Sequence, residues 1–315
     1  MPELGYSLSC EEHAPNDLVR FARRAEDAGL DYALISDHFH PWIDAQGDSA
    51  FVWNVIGAIA QTTERLRLGT GVTCPLIRIH PAIIAQAAAT SAAMMPGRFF
   101  LGVGTGENLN EHVLGAKWPA PDERLEMLEE AVEVIRLLWQ GGYQTHRGDH
   151  YTVERARLYT LPDEPPEICV AAAQPNAAEL AGRIGDGFIG VAPDGELIEK
   201  FEQAGGGGPR YGHLTGCWAE SEEEARRTAH ENWPNAGLEG PLNQELATPA
   251  DFEAVAEMVK PEDLETMPLG PDTDRWLEAI AEFEDAGYDH VYIHQIGPDQ
   301  EGFLGFAERE LLARV

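Results

Sequence analysis

The sequence predicts an α/β chain folded as a (β/α)8 TIM barrel with insertions, and three observations carry that reading. Short apolar runs alternate with amphipathic stretches along the 315 residues. Eight such alternations fit a closed parallel barrel, with a doubly wound open sheet as the competing arrangement. A chain of this length can bury one full core, so a single domain over 1–315 is expected.

The elements follow in order. "LGYSLS" (4–9) reads as the first strand. "NDLVRFARRAEDAG" (16–29) reads as a helix because Leu18, Phe21, Ala22 and Ala25 share a face, with Asn16 as N-cap and Gly29 as the stop. "YALIS" (32–36), "LRLGTGV" (66–72) and "FFLGVGT" (99–105) are the next three strands. A long helical stripe, Leu125, Leu128, Val132 and Ile135, runs through 122–142. Residues 143–160, "YQTHRGDHYTVERARLYT", read as a hairpin inserted before the fifth strand, "EICVAA" (167–172). "GFIGVA" (187–192), the flexible loop "GGGGPR" (205–210) and "GHLTGCW" (212–218) follow. Residues 235–273 form a long Pro/Gly-rich excursion of the kind that makes lids. "HVYIHQI" (290–296) is the last strand, and no internal repeat is evident.

Composition narrows the function. There are 54 acidic and 22 basic residues, net −32, and only Lys117, Lys200 and Lys260 are lysines. The acids are spread along the chain, which fits a salt-rich cytoplasm, where the Debye length falls to ~3 Å at 1 M. With no basic stripe to neutralise phosphates, nucleic-acid binding is disfavoured. No twenty-residue apolar run is present, so no membrane span is expected. "MPELGYSLSCEEHAP" lacks a basic segment followed by an apolar one, so a signal peptide is not expected and the cytoplasm is the default. Cys10, Cys74, Cys169 and Cys217 stand far apart, which gives neither a zinc knuckle nor a disulfide framework.

Barrel chemistry sits where strands end at the C-terminal face. The first strand ends near Cys10, Glu11, Glu12 and His13, and the second at "DHFHPW" (37–42). The third ends in "TGVTCP" (70–75) and the fourth in "GTGENLN" (104–110). Three chemistries compete for these residues. A metal site could start from His38 and His40, but it would need further ligands and a bridging lysine, and Lys117 comes too late. Packing is the reading for His80, His150 and His213; Glu107 could be merely a helix-start acid. Proton transfer is the third: a neutral histidine suits deprotonating an alcohol, and a carboxylic acid on a neighbouring strand can return a proton. No side chain accepts hydride, so redox chemistry here requires a cofactor.

Five stretches carry a resemblance: "SDHFHPW" (36–42), "LGTGVTCP" (68–75), "RIHPAIIAQAAAT" (78–90), "PGRFFLGVGTGENLNE" (96–111) and "LAGRIGDGFI" (180–189). Together they resemble the luciferase-like barrel oxidoreductases that use the deazaflavin coenzyme F420, in the branch of glucose-6-phosphate and secondary alcohol dehydrogenases. The resemblance implies His38 as the base that takes the substrate's hydroxyl proton, Trp42 as the indole beside the reacting carbon, and Glu107 as the acid toward the cofactor. Glu11 aligns with a further active-site carboxylate. Asp37 and Asn110 match cofactor contacts, Gly71 and Val72 the place of a non-proline cis peptide backing the ring. Cys74 follows, where the glucose-phosphate enzymes tend to carry threonine and the alcohol dehydrogenases cysteine. The cofactor-phosphate loop falls on Ala172, Ala173 and Gln174, without the family's paired glycines.

A second departure concerns the substrate. Asp194 stands where the glucose-phosphate enzymes carry a lysine, and the excursion holds one lysine, Lys260, and no arginine. A phosphate dianion would be repelled there. The resemblance therefore implies a dimeric, F420-dependent oxidoreductase acting on an uncharged alcohol or sugar rather than glucose 6-phosphate. The alternatives are an FMN-dependent monooxygenase or reductase on the same barrel, an amidohydrolase-like metal enzyme, and a non-catalytic deazaflavin carrier.

Overall fold

A computed structural model describes residues 1–238 and 240–314; Glu239, inside the 235–273 excursion, and Val315 lie outside it. The strands are β1 (Glu3–Leu8), β2 (Tyr32–Ile35), β3 (Arg67–Thr70), β4 (Phe99–Val103), β5 (Gln144–Arg147), β6 (Thr152–Ala156), β7 (Ile168–Ala171), β8 (Gly187–Gly190), β9 (Arg210–Gly216) and β10 (His290–Gln295). Eight of them close a barrel in the order β1-β2-β3-β4-β7-β8-β9-β10. Every barrel pairing is parallel, and β10 returns to β1 with Glu3 opposite His290 and Tyr6 opposite Ile293. The remaining two strands, β5 and β6, form an antiparallel hairpin ahead of the fifth barrel strand.

The helices are α1 (Pro15–Ala28), α2 (Val52–Thr62), α3 (Pro81–Met94), α4 (Asn108–Glu111), α5 (Pro121–Trp139), α6 (Pro175–Ile184), α7 (Gly195–Gln203), α8 (Glu222–Asn232), α9 (Leu242–Glu245), α10 (Pro249–Ala256), α11 (Thr273–Asp285) and α12 (Gln300–Phe306). The first of them begins earlier than its sequence predicts. Ala14, not Asn16, is the N-cap of α1, because Pro15 occupies the first helical position. There its fixed φ suits the helix and its missing N–H costs nothing. Proline opens α3, α5, α6 and α10 in the same way. Gly29 ends α1 at φ 97°, in the left-handed region that favours glycine.

Two apolar layers follow from the strand alternation. Leu4, Tyr6, Leu8, Ala33 and Ile35 face outward into the layer shared with the helices. Tyr32, Leu34, Phe100, Cys169, Ile189, Tyr211 and Tyr292 fill the barrel. Phe100 and Tyr211 stack there at 5.0 Å. Glycine makes room for the rings: a Cβ on Gly69 would stand 2.1 Å from Phe100, and one on Gly5 2.3 Å from Tyr32. The rings plug the barrel, so polar chemistry is confined to the mouth.

The excursion 235–273 carries α9, α10 and two short 3-10 turns (Pro234–Gly237 and Pro261–Leu264). It packs against the ends of β2 and β4. Asn108 donates to the Glu245 carbonyl at 3.0 Å, and Arg124 reaches Glu245 at 3.1 Å and Gln244 at 3.0 Å. Phe252, Leu238 and Leu246 join Trp42, Ile43 and Leu109 in one apolar cluster. Among the described residues no helix is long and apolar enough to cross a membrane.

Candidate active site

Beyond β2 the chain turns through Ser36, Asp37 and His38. His38 Nδ1 lies 3.2 Å from the His40 carbonyl, and its Nε2 faces Glu11 Oε1 at 3.3 Å. The ring stands 5.0 Å from the Trp42 indole, tilted by 55°. A carbonyl only accepts, so Nδ1 carries a hydrogen and Nε2 is the nitrogen free to exchange its proton. His40 turns away, with its own Nδ1 2.9 Å from the Leu109 carbonyl. Among the described residues no three His, Cys, Asp or Glu side chains are grouped to hold a metal ion.

Glu11 is buried, and its second oxygen accepts from the Ser36 and Ser9 hydroxyls, the latter at 3.1 Å. Burial opposes its ionisation. The neighbouring His38, the Ser36 hydroxyl, its own backbone N–H and His294 outweigh burial and hold the carboxyl below its ordinary range. Ser36 is itself fixed by the Cys10 N–H at 2.8 Å.

A second network ties the ends of β2, β3 and β4 together. Arg78, almost fully buried, donates to Asp37 Oδ1 at 2.8 Å and to Glu111 Oε1 at 3.4 Å. The other oxygen of Asp37 accepts from Thr73 at 2.8 Å, so both its oxygens are engaged within the chain. Glu111 also accepts the Ile77 and Arg78 N–H groups. Burial nevertheless pushes its carboxyl up, assisted by Glu107. Asn110 accepts from the Phe39 N–H at 2.8 Å and the His40 N–H at 3.3 Å, and donates to Glu107 at 3.3 Å. Glu107 is the N-cap residue of α4, yet its side chain bonds none of the helix N–H groups.

The peptide between Gly71 and Val72 is cis. Val72 and Ala171 lie partly buried on top of the barrel's aromatic plug. Cys74 is buried, and burial with Glu111 and Glu107 nearby pushes its thiol well up. Ala172 is buried with its N–H on the Ile189 carbonyl, while Ala173 and Gln174 are exposed ahead of α6. Asp194 caps α7 by accepting from the Glu196 and Leu197 N–H groups.

The structure thus brings Glu11, Asp37, His38, Trp42, Cys74, Glu107 and Asn110 to one end of the barrel. Arg78, Glu111, Thr73 and Ser36 escaped the sequence reading. A lone arginine soon after the third strand in a chain this acidic was the available signal for Arg78. His294, on the last strand, also escaped it; its Nε2 lies 2.6 Å from Glu12. A cleft of about 600 Å³ between α5, α6 and α7 lies outside the barrel. Its cations are paired, Lys200 with Glu179 and Arg183 with Glu129, so it offers no comparable chemistry.

Comparison with known proteins places the chain in a family. The family model for luciferase-like monooxygenases matches residues 2–290. An F420-dependent glucose-6-phosphate dehydrogenase of Microbacterium testaceum is 35% identical over 324 residues, covering 99% of this chain and 96% of the relative. One from Nocardia farcinica is 36% identical over 328 residues, covering 99% and 98%. Among solved structures, an F420-dependent secondary alcohol dehydrogenase in complex with an F420-acetone adduct superposes with a TM-score of 0.92 at 30% identity, covering 99% of this chain and 98% of the other. The coenzyme F420-dependent tetrahydromethanopterin reductase of Methanopyrus kandleri, at 21% identity and a TM-score of 0.81, covers 99% of each chain and shares the fold.

Proposed function

The chain belongs to the luciferase-like family, and from that premise we propose that it is a coenzyme F420-dependent oxidoreductase. It transfers hydride between an uncharged alcohol or sugar hydroxyl and the deazaflavin. The observation that carries the proposal is the His38–Glu11–Trp42 arrangement at the barrel mouth, where an imidazole nitrogen faces a carboxylate at 3.3 Å.

The residues present fit the cofactor. Val72 and Ala171 offer a small, partly buried apolar surface for a flat ring. The Gln174 side chain leaves the first turn of α6 uncapped, so the N–H groups of Asn176 and Ala177 are available to a phosphate, with exposed Ala173 placing no bulk before them. Cys74, Glu107 and Asn110 stand on the same side of the mouth. When bound, the deazaflavin supplies the hydride acceptor.

The chain's own residues supply the proton chemistry. His38 Nε2 takes the hydroxyl proton of the substrate, and Glu11 stabilises the resulting imidazolium through the same nitrogen. The Trp42 ring shields the reacting carbon from water and presents its electron-rich face to developing positive charge. Glu107 caps no N–H of α4 and accepts from the Asn110 side chain, and it is the carboxyl placed to hold a proton on the cofactor side.

Glucose 6-phosphate is disfavoured as substrate, although the sequence relatives are named for it. Arg78 is already bonded to Asp37 and Glu111, and Arg124 to Glu245. Asp194 adds a negative charge at the start of α7. Neither arginine is left free to balance a phosphate dianion.

The test is a titration of purified protein in molar salt with oxidised F420 and, separately, with FMN, followed by fluorescence. Saturable binding of the deazaflavin and loss of its visible absorbance on adding alcohols or sugars are expected. Binding of FMN alone would assign the protein to the flavin-dependent branch. Tight F420 binding without turnover of any alcohol would make it a carrier.

A further inference from the structure

Glu11 and Glu12 are consecutive residues, yet their carboxylates serve different imidazoles. Glu11 faces His38. Glu12 crosses to the last strand, where one oxygen accepts from His294 Nε2 at 2.6 Å and the other accepts the Gly297 N–H at 2.9 Å. The side chains of Glu12 and His294 are 4% and 2% exposed. The Trp233 indole stands edge-on to His294 at 4.4 Å, much as Trp42 stands 5.0 Å from His38. The mouth therefore holds the set of carboxylate, imidazole and indole twice, and the proposed reaction uses only one.

The second set has an unfilled hydrogen bond. Glu12 engages the Nε2 side of His294 and orients the ring, leaving Nδ1 turned away from the carboxylate. That Nδ1 is buried and has no partner. His213 lies beside it with ring centroids 5.7 Å apart, stacked on Tyr292 at 4.6 Å, and its Nε2 is also buried without a partner. Burial lowers the pKa of His213 to about 3, so that ring is neutral at neutral pH. Two orphaned nitrogens on neighbouring rings call for a polar occupant. With Glu11 and Glu12 adjacent, an anion is repelled; a hydroxyl, which both donates and accepts, can meet Nδ1 at no cost in charge.

We propose that His294, with His213 beside it and Trp233 over it, is a hydroxyl-binding subsite, and that the substrate is a neutral polyhydroxy compound, sugar- or polyol-like. His38 acts at one carbinol carbon while His294 Nδ1 hydrogen-bonds a second hydroxyl, with the Trp233 indole beside that imidazole. This rests on the alcohol-oxidising reading above and narrows it. A buried water is the other occupant the nitrogens would accept, and the experiment separates the two.

His294→Gln retains an amide that can donate to Glu12 and removes the ring Nδ1. In F420-loaded protein, this substitution should raise KM for glucose or xylitol about tenfold, the value of one lost hydrogen bond, and leave KM for propan-2-ol within about twofold. Equal effects on both substrate classes, or turnover of propan-2-ol with none of either polyol, would overturn the proposal. A second measurement needs no turnover and no variant: long-range 1H–15N spectra of the histidine rings in the wild-type protein. Adding glucose or xylitol should move the His294 Nδ1 resonance and leave Nε2 nearly fixed. A resonance unmoved by either means that Nδ1 meets water and not the substrate, and the subsite is rejected. Movement of Nδ1 without deazaflavin reduction by any alcohol would support the subsite and reject the redox reading instead.

Discussion

His38 Nε2 stands 3.3 Å from Glu11 Oε1 while the Nδ1 of the same ring is turned to the His40 carbonyl. An imidazole set between two acceptors is held in one orientation, with Nε2 turned to the carboxylate. Replacing it by alanine should lower turnover by ~10²–10⁴, the usual contribution of a positioned general base. Binding of F420 should survive, because no cofactor-side residue depends on the ring. Single-turnover kinetics with a parallel binding titration test this; wild-type turnover in His38→Ala would assign the base elsewhere.

Glu11 adds a dependence on pH. Its carboxyl lies below the ordinary value of 4.5, burial being outweighed by His38, Ser36, its own N–H and His294. A carboxyl depressed in the folded state stabilises the fold above its unfolded pKa, and that contribution is lost as pH falls through the folded value. Urea unfolding should therefore show Glu11→Gln less stable than wild type at neutral pH. The gap should narrow on acidification below about pH 4.5. A gap constant with pH would mean that shape, not charge, is what the carboxylate contributes.

Arg78 joins Asp37 and Glu111 in a nearly solvent-free network. Removing one partner from such a network leaves uncompensated buried charge and costs about 3–5 kcal/mol. Arg78→Met should lose that much in urea unfolding at neutral pH. The loss should shrink at acid pH, because Glu111 is already pushed up by burial and protonates early. A loss below about 1 kcal/mol would mean that water reaches these carboxylates.

How much of this was legible in the sequence follows from the range of the interactions. All eight barrel strands were readable because apolar alternation is local. The mouth residues His38 and Trp42 were found because they share one strand end. Asn16 was misread as a cap because a proline one residue earlier outcompetes it. Arg78 and His294 were missed because their partners are 41 and 282 residues away, and only barrel closure brings them together. Glu26 shows the same limit. It lies in a helix read correctly by its apolar face, yet it accepts the N–H groups of Glu64, Arg65 and Leu66 at 2.9, 2.7 and 2.8 Å.

The surface charge supports a last prediction. The ion pairs on the outer helices are mostly exposed, for example Arg20–Asp17 and Arg183–Glu129, and such pairs contribute little. Acids also crowd where the bases are shared: Glu222, Glu223 and Glu224 open α8, and Glu222 shares Arg226 with Glu265 while Glu224 reaches Arg227 only at 3.9 Å. At net −32 the folded chain repels itself more than the expanded one does. Screening shortens from ~10 Å at 0.1 M salt to ~3 Å at 1 M. The melting temperature should accordingly rise between 0.1 M and 1 M potassium chloride. It should rise less in sucrose, which strengthens burial without screening charge. A melting temperature that is flat in salt, or that rises equally in both, would mean that charge repulsion does not limit the stability of this barrel.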